Sequence, residues 1–398
     1  MYTLKYSLFF AFLINVVFGN IDLGSDIDEF INTTLLIQSK GYPAEAHDVH
    51  TDDGYILTIH RIPHSRNERE PTSNRPVVFL QHGLLDASSS WVINFPDQSL
   101  GFILADAGYD VWLGNMRGNT YGIRHEKFQS NQNEFWDFSW SDMAKHDLPS
   151  MISYILDISQ QKDLIYIGHS QGTLIGFSEF GLNENLANKI RLFVALGPVA
   201  TVKYIKSPVR YLADLGAPTN QEMWYNIFGR KDFLPSSKMI EWFADKLCNF
   251  EATDKLICSN ILVAFCGPTN FLNMTRVPVY TTHTPAGTSV KNLAHFAQSV
   301  ISGKFQMYDY GSKKNLIHYN QTTPPQYDLR KVNVPTALYW ANNDWLADPT
   351  DIKYLRSNLP NIVDDYEILN WNHLDFIWAT NTQEFLYGRL VDLMKKFS

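Results

Sequence analysis

Six short apolar runs restrict the fold most: PVVFLQHG (76–83), YDVWLGN (109–115), LIYIGHS (164–170), IRLFVALGP (190–198), PTALYWAN (335–342) and DDYEILN (364–370). Several are rich in β-branched and aromatic residues, and they read as buried strands. Helical patterns fall between or after them, at 100–107, 148–158, 173–180 and 383–397. Strand and helix alternating in this way predict an α/β fold, a mainly parallel central sheet with helices on both faces. Ahead of these runs, GYPAEAHDVHTDDGYILTIHRIPH alternates apolar and polar residues around Asp53-Gly54, which predicts a hairpin.

The alternation breaks between about 203 and 328. Here Ile240, Phe243, Leu247 and Phe250 recur at helical spacing, and no convincing sheet strand is visible. A helical insertion, a cap with a lid, is therefore expected over 203–328, within a core formed by 20–202 and 329–398. The first residues, MYTLKYSLFFAFLINVVFGN, carry one Lys, an apolar stretch from Leu8 to Phe18 and a small Gly19. That layout predicts a signal peptide over 1–19, since the stretch is too short to span a bilayer. No transmembrane segment is expected elsewhere, because no later run reaches 18 uninterrupted apolar residues.

The formal net charge is −8, and the Lys/Arg clusters are short, so nucleic acid is not an expected partner. The 3 Cys, at 248, 258 and 266, allow at most one intramolecular bridge, and spacing alone does not choose the pair. Sequons stand at Asn32, Asn273 and Asn320 and are candidate glycosylation sites.

The chemistry is carried by IYIGHSQGT (165–173), in which Ser170 lies between Gly168 and Gly172 after an apolar run and before a helical one. A serine at such a strand-to-helix turn is lifted above the sheet edge, and side chains at 168 or 172 would collide with their neighbours. The next amide, that of Gln171, lies at a helix N-terminus and can stabilise an oxyanion. A serine hydroxyl needs a base beside it. In the α/β-hydrolase order the acid and then the histidine follow the nucleophile. His373, in NWNHLDF after the last strand, occupies the place of the base. The acid belongs after the preceding strand, where ANNDWLADPTD offers Asp344 first, with Asp348 and Asp351 beyond it. Asp375 is expected to point elsewhere. A second oxyanion amide is expected at Leu84, after His82-Gly83, with His82 bracing the loop.

These blocks, with LADAGYDVWLGNMRGNTY, FWDFSWSDMAKHDLPSMI, HTPAGTSVKNLAHFAQ and NHLDFIW, resemble in order those of the acid lipase family that includes gastric and lysosomal acid lipases. The likeness runs over about residues 30 to 395. It implies an α/β-hydrolase with a helical cap and lid, nucleophile Ser170, acid Asp344, base His373 and oxyanion amides on Leu84 and Gln171. It also implies a Cys248–Cys258 disulfide with Cys266 free. Where the family often has two Gly before the acid, this chain has ANND.

The function expected is hydrolysis of long-chain esters at a lipid–water interface, of triacylglycerols and in some members cholesteryl esters, through an acyl-enzyme and without metal or cofactor. Secretion or lysosomal delivery is expected from the leader. The alternatives are a carboxylesterase or phospholipase acting on shorter or more polar esters, and a non-catalytic lipid-binding or storage protein.

Overall fold

The computed structural model describes residues 26–69, 74–214, 221–233 and 265–398. The strands are β1 (Glu45–His50), β2 (Tyr55–Ile62), β3 (Val77–Gln81), β4 (Asp110–Leu113), β5 (Arg124–His125), β6 (Leu164–His169), β7 (Ile190–Leu196), β8 (Asp232–Phe233), β9 (Thr288–Ser289), β10 (Thr336–Ala341) and β11 (Ile362–Ile368). Nine of them form one sheet in the order β1-β2-β4-β3-β6-β7-β10-β11, with β5 on β2. From β4 to β11 every pairing is parallel, while β1 and β2 form the antiparallel hairpin expected at the Asp-Gly turn.

The inner parallel strands are sealed because helices cover both faces, whereas β11, expected to be buried, is an edge strand with only Ile368 fully buried, as its Asp364, Asp365 and Glu367 require. Alternate residues divide between two cores: Phe79, Tyr166 and Phe193 pack on one face, and Val78, Leu80, Ile165, Ile167, Leu192 and Val194 on the other. The principal helices are α1 (Leu100–Asp106), α2 (Leu148–Ser159), α3 (Gln171–Leu182), α4 (Val290–Ser302), α5 (Pro349–Asn358) and α6 (Gly388–Met394). The last expected helix is a continuous helical run with a wide five-residue turn, Gln383–Tyr387, at its start.

β3 has β4 on one side and β6 on the other, so the chain reverses its direction of winding there. Ligands of open α/β sheets bind beyond the carboxyl ends of strands at such a reversal. Gln81 pairs with Gly168 in the register of β3 and β6, which brings the loop after β3 beside Ser170.

Between β7 and β10 the chain leaves the large sheet. Its described parts hold α4, shorter helices and the two-residue pair β8·β9, a small sheet that the sequence pattern did not signal because two residues are too few to show alternation. They build a separate small core from Trp224, Phe233, Val290, Leu293, Ala297 and Tyr308, against which Leu84 and Leu85 pack. The stripe from Ile240 to Phe250, Cys248 and Cys258, and the residues 1–19 expected to be a signal peptide lie outside the described residues.

Candidate active site

Ser170 ends β6 and opens α3 with φ 53° and ψ −118°, left-handed backbone that a non-glycine residue adopts only under strain. The strain is held by neighbours. Ser170 N–H donates to Leu196 O at 3.0 Å. The Thr173 hydroxyl donates to Ser170 O at 2.7 Å and accepts from Val199 N–H at 2.7 Å. The turn is tight enough to require its glycines: a Cβ on Gly168 would lie 2.7 Å from the Gly172 carbonyl carbon, and one on Gly172 would lie 2.4 Å from Gln81 O.

His373 follows β11, and its Nδ1 is 2.7 Å from Asp344 Oδ2. A neutral ring bonded to a carboxylate in this way carries its proton on Nδ1, which leaves Nε2 with a lone pair. Nε2 is buried and has no hydrogen-bond partner among the described residues. Asp344, fully buried, accepts at Oδ1 from Leu346 N–H at 2.8 Å and Ala347 N–H at 2.7 Å, so both its oxygens are engaged. The other two acids of that loop are committed elsewhere. Asp348 caps α5 through Thr350 N–H and pairs with Lys206 at 2.8 Å, and Asp351 accepts from Thr201 and Tyr204. The ANND turn closes with Asn342 Oδ1 accepting from Asn370 N–H at 2.7 Å, which ties the Asp344 loop to the His373 loop.

Ser170 and His373 line one cavity with Leu84 and the apolar side chains Val199, Leu293 and Leu346. Leu84 is half-buried, in the turn after Gly83. Gly83 lies close to Ser170, since a Cβ on it would come within 3.0 Å of Ser170 Cβ. His82 braces this turn: its Nδ1 meets Gly83 O at 2.8 Å, and its Nε2 accepts from Met116 N–H at 3.1 Å. Burial pushes His82 down to about 4, so it is neutral. The Gln171 amide is in the first turn of α3, where backbone N–H groups have no partner within the helix.

Sequence reasoning missed three supports. His169 donates from Nε2 to His373 O at 2.9 Å and its ring lies 4.8 Å from that of His373, tilted by 39°, and burial holds it neutral, well below its usual pKa. The Cys266 carbonyl accepts from both Trp345 N–H and His373 N–H, at 3.2 and 3.4 Å, joining the two loops from the side of the insertion. Cys266 itself is a buried free thiol. Asn292, on α4, bonds the Gln171 side chain. Of these, His169 stood inside the serine motif and Asn292 inside the block HTPAGTSVKNLAHFAQ, but neither pattern says what the side chain touches.

Asp375 closes its own turn, accepting at Oδ2 from Asn372 N–H at 2.6 Å. Of the sequons, Asn32 and Asn320 are exposed and Asn273 is half-buried. No helix among the described residues is long and apolar enough to cross a membrane.

The sheet order, the strained turn and the loops around it define an α/β-hydrolase. A family model described as "alpha/beta hydrolase fold" matches residues 76–380, and one described as "Partial alpha/beta-hydrolase lipase region" matches 33–95. Solved structures agree in fold: a putative lipase from Sulfolobus solfataricus superposes with TM-score 0.55 at 13% identity, covering 89% of this chain and 99% of that one. A membrane phospholipase A gives TM-score 0.51 at 14% identity, covering 100% and 97%.

Sequence relatives are much nearer. A gastric triacylglycerol lipase of Bos taurus is 49% identical over 92% of this chain and 91% of its own length. A lysosomal acid lipase/cholesteryl ester hydrolase of Homo sapiens is 46% identical over 94% and 92%. The chain belongs to the family of gastric and lysosomal acid lipases.

Proposed function

We propose that the protein is a lipase that hydrolyses long-chain carboxylic esters, triacylglycerols and cholesteryl esters, with Ser170, His373 and Asp344 as its catalytic triad. The observation that carries this reading is the His373 ring, anchored at Nδ1 by Asp344, with Nε2 unpartnered in the cavity that Ser170 lines. In this mechanism Ser170 Oγ attacks the ester carbonyl, and His373 takes the proton and returns it to the departing alcohol. Asp344 fixes the tautomer and stabilises the imidazolium. The amides of Leu84 and Gln171 hold the oxyanion, each worth on the order of 3 kcal/mol. Water then releases the fatty acid by the same steps.

The apolar lining supports a long acyl chain as the group bound, and the names of the relatives support triacylglycerol and cholesteryl ester as substrates. The insertion over 203–328 is read as a cap, and its stretch with the Ile240 stripe as a lid that opens at a lipid surface. A signal peptide over 1–19 and secretion or lysosomal delivery fit the same family. Glycosylation at Asn32, Asn273 or Asn320 and a Cys248–Cys258 bridge belong to that reading.

The test is fatty-acid release from emulsified triolein and cholesteryl oleate between pH 4 and 8, with Ser170→Ala protein as the blank. Release by the wild type alone supports the reading, and release equal to the blank overturns it. The lid is tested separately, by comparing monomeric with emulsified substrate; equal specific activity on both removes it.

A further inference from the structure

The cavity that Ser170 and His373 line is apolar except for a few groups, and among its described lining residues Asp86 is the one carboxyl. Asp86 lies two residues beyond Leu84, on the loop assigned to the oxyanion, and is 5% exposed. Its two oxygens are treated very differently. Oδ1 takes three donors: the Ser90 hydroxyl, Ala87 N–H at 2.9 Å and the Thr284 hydroxyl at 3.2 Å. Oδ2 takes none from any described residue.

A carboxyl in an apolar wall is costly unless something bonds it. The three donors on Oδ1 orient the group, and the second oxygen is left for whatever enters the cavity. We propose that Asp86 is a specificity-determining residue whose Oδ2 binds a free hydroxyl on the ester substrate. This rests on the lipase reading and deepens it: the favoured esters carry a hydroxyl near the reacting carbonyl. Two sources share that chemistry, the glycerol hydroxyls of mono- and diacylglycerols and a hydroxylated acyl chain. Cholesteryl esters and simple alkyl esters lack it.

Burial pushes the Asp86 carboxyl up to about 6. A hydroxyl both donates and accepts, so it can pair with the neutral and the ionised form alike.

The experiment compares wild type, Asp86→Ala and Asp86→Asn on matched esters: monooleoylglycerol against methyl oleate for the alcohol, and methyl 3-hydroxypalmitate against methyl palmitate for the acyl chain. The readout is the ratio of kcat/KM within each pair, from which any loss of folded protein cancels. Wild type is expected to favour a hydroxylated member, and Asp86→Ala to lower that ratio about tenfold. Asp86→Asn keeps an acceptor for the three donors and a polar group toward the cavity, and is expected to fall between. A drop confined to the monooleoylglycerol pair assigns the alcohol side, and one confined to the hydroxypalmitate pair assigns the acyl side. Unchanged ratios in both pairs overturn the proposal. If wild type hydrolyses none of these esters and neither triolein nor cholesteryl oleate, the lipase reading fails on its own. The site is then tested by binding 1-O-oleylglycerol against methyl oleyl ether, where equal affinities for wild type and Asp86→Ala overturn it.

Discussion

Asn292 Nδ2 donates to the side-chain Oε1 of Gln171 at 2.8 Å, a bond between residues 121 positions apart that joins α4 of the insertion to the first residue of α3. Asn292 is fully buried, and its Oδ1 also accepts from Trp140 N–H at 2.7 Å. Asn292→Ala would take this partner from three buried groups, Trp140 N–H, Gln171 Oε1 and the Thr288 hydroxyl, a cost of about 3–5 kcal/mol. Because one of them belongs to the residue assigned an oxyanion amide, kcat is expected to fall as well, with KM changed less. Thermal unfolding and steady-state kinetics on one preparation check this. An unaltered kcat in a destabilised but folded variant would make the bond purely structural.

The two candidate acids separate cleanly by substitution. Asp344→Asn keeps the shape but presents an amide to His373 Nδ1, which favours the wrong tautomer, and kcat is expected to drop on the order of 10⁴-fold. Asp348→Asn weakens a helix cap and the pair with Lys206 and leaves His373 untouched. It is expected to keep kcat within about twofold and to cost no more than about 2 kcal/mol. Turnover of emulsified ester by the two variants decides between them; the reverse ranking would move the acid to Asp348.

The strand runs and the turn at Ser170 were legible because each is a local pattern: an apolar stretch, two glycines at fixed offsets, then a helix. Order along the chain sufficed to point to Asp344 and His373, since each follows a strand that could be read. The sheet order was not legible, because which strand neighbours β3 is set by packing between distant segments. The same holds for Asn292 with Gln171, and for the Cys266 carbonyl between the Asp344 and His373 loops, where nothing in either segment announces the other. Asp86 gave no sign that it faces the cavity, because a single loop carboxyl has no periodicity to orient it.

Asp375 makes stability depend on pH in a defined direction. Burial raises its carboxyl to about 7; Asn372 N–H and Thr269 oppose the shift, and the Asp344 charge adds to it. With the folded pKa above the unfolded value of about 4, its contribution is fully present below pH ~4 and is lost as the pH rises through ~7. Asp375→Asn removes this titration while keeping an acceptor for Asn372 N–H. Relative to wild type, the variant is therefore expected to gain on the order of 2–4 kcal/mol between pH 4 and pH 8. Denaturant unfolding across that range measures the difference; a constant offset would show that Asp375 does not titrate there.

Arg117 is the buried cation that binds the hairpin turn to the helical layer. Its guanidinium reaches Asp147 at 2.8 Å and Asp53 at 2.6 and 2.8 Å, and stacks 4.0 Å above the Tyr55 ring. Asp147 is fully buried, and although its own burial raises its pKa, the Arg117 charge is what opposes that shift most. Removing the cation by Arg117→Met leaves the Asp147 carboxyl with only the backbone N–H of residue 117, and the expected loss is about 3–5 kcal/mol. Arg117→Met combined with Asp147→Leu removes both charges and is expected to recover a large part of it. Unfolding free energies of wild type, the two single variants and the double variant complete the cycle. Strict additivity would mean that Arg117 acts through its packing on Tyr55 and not through the ion pair.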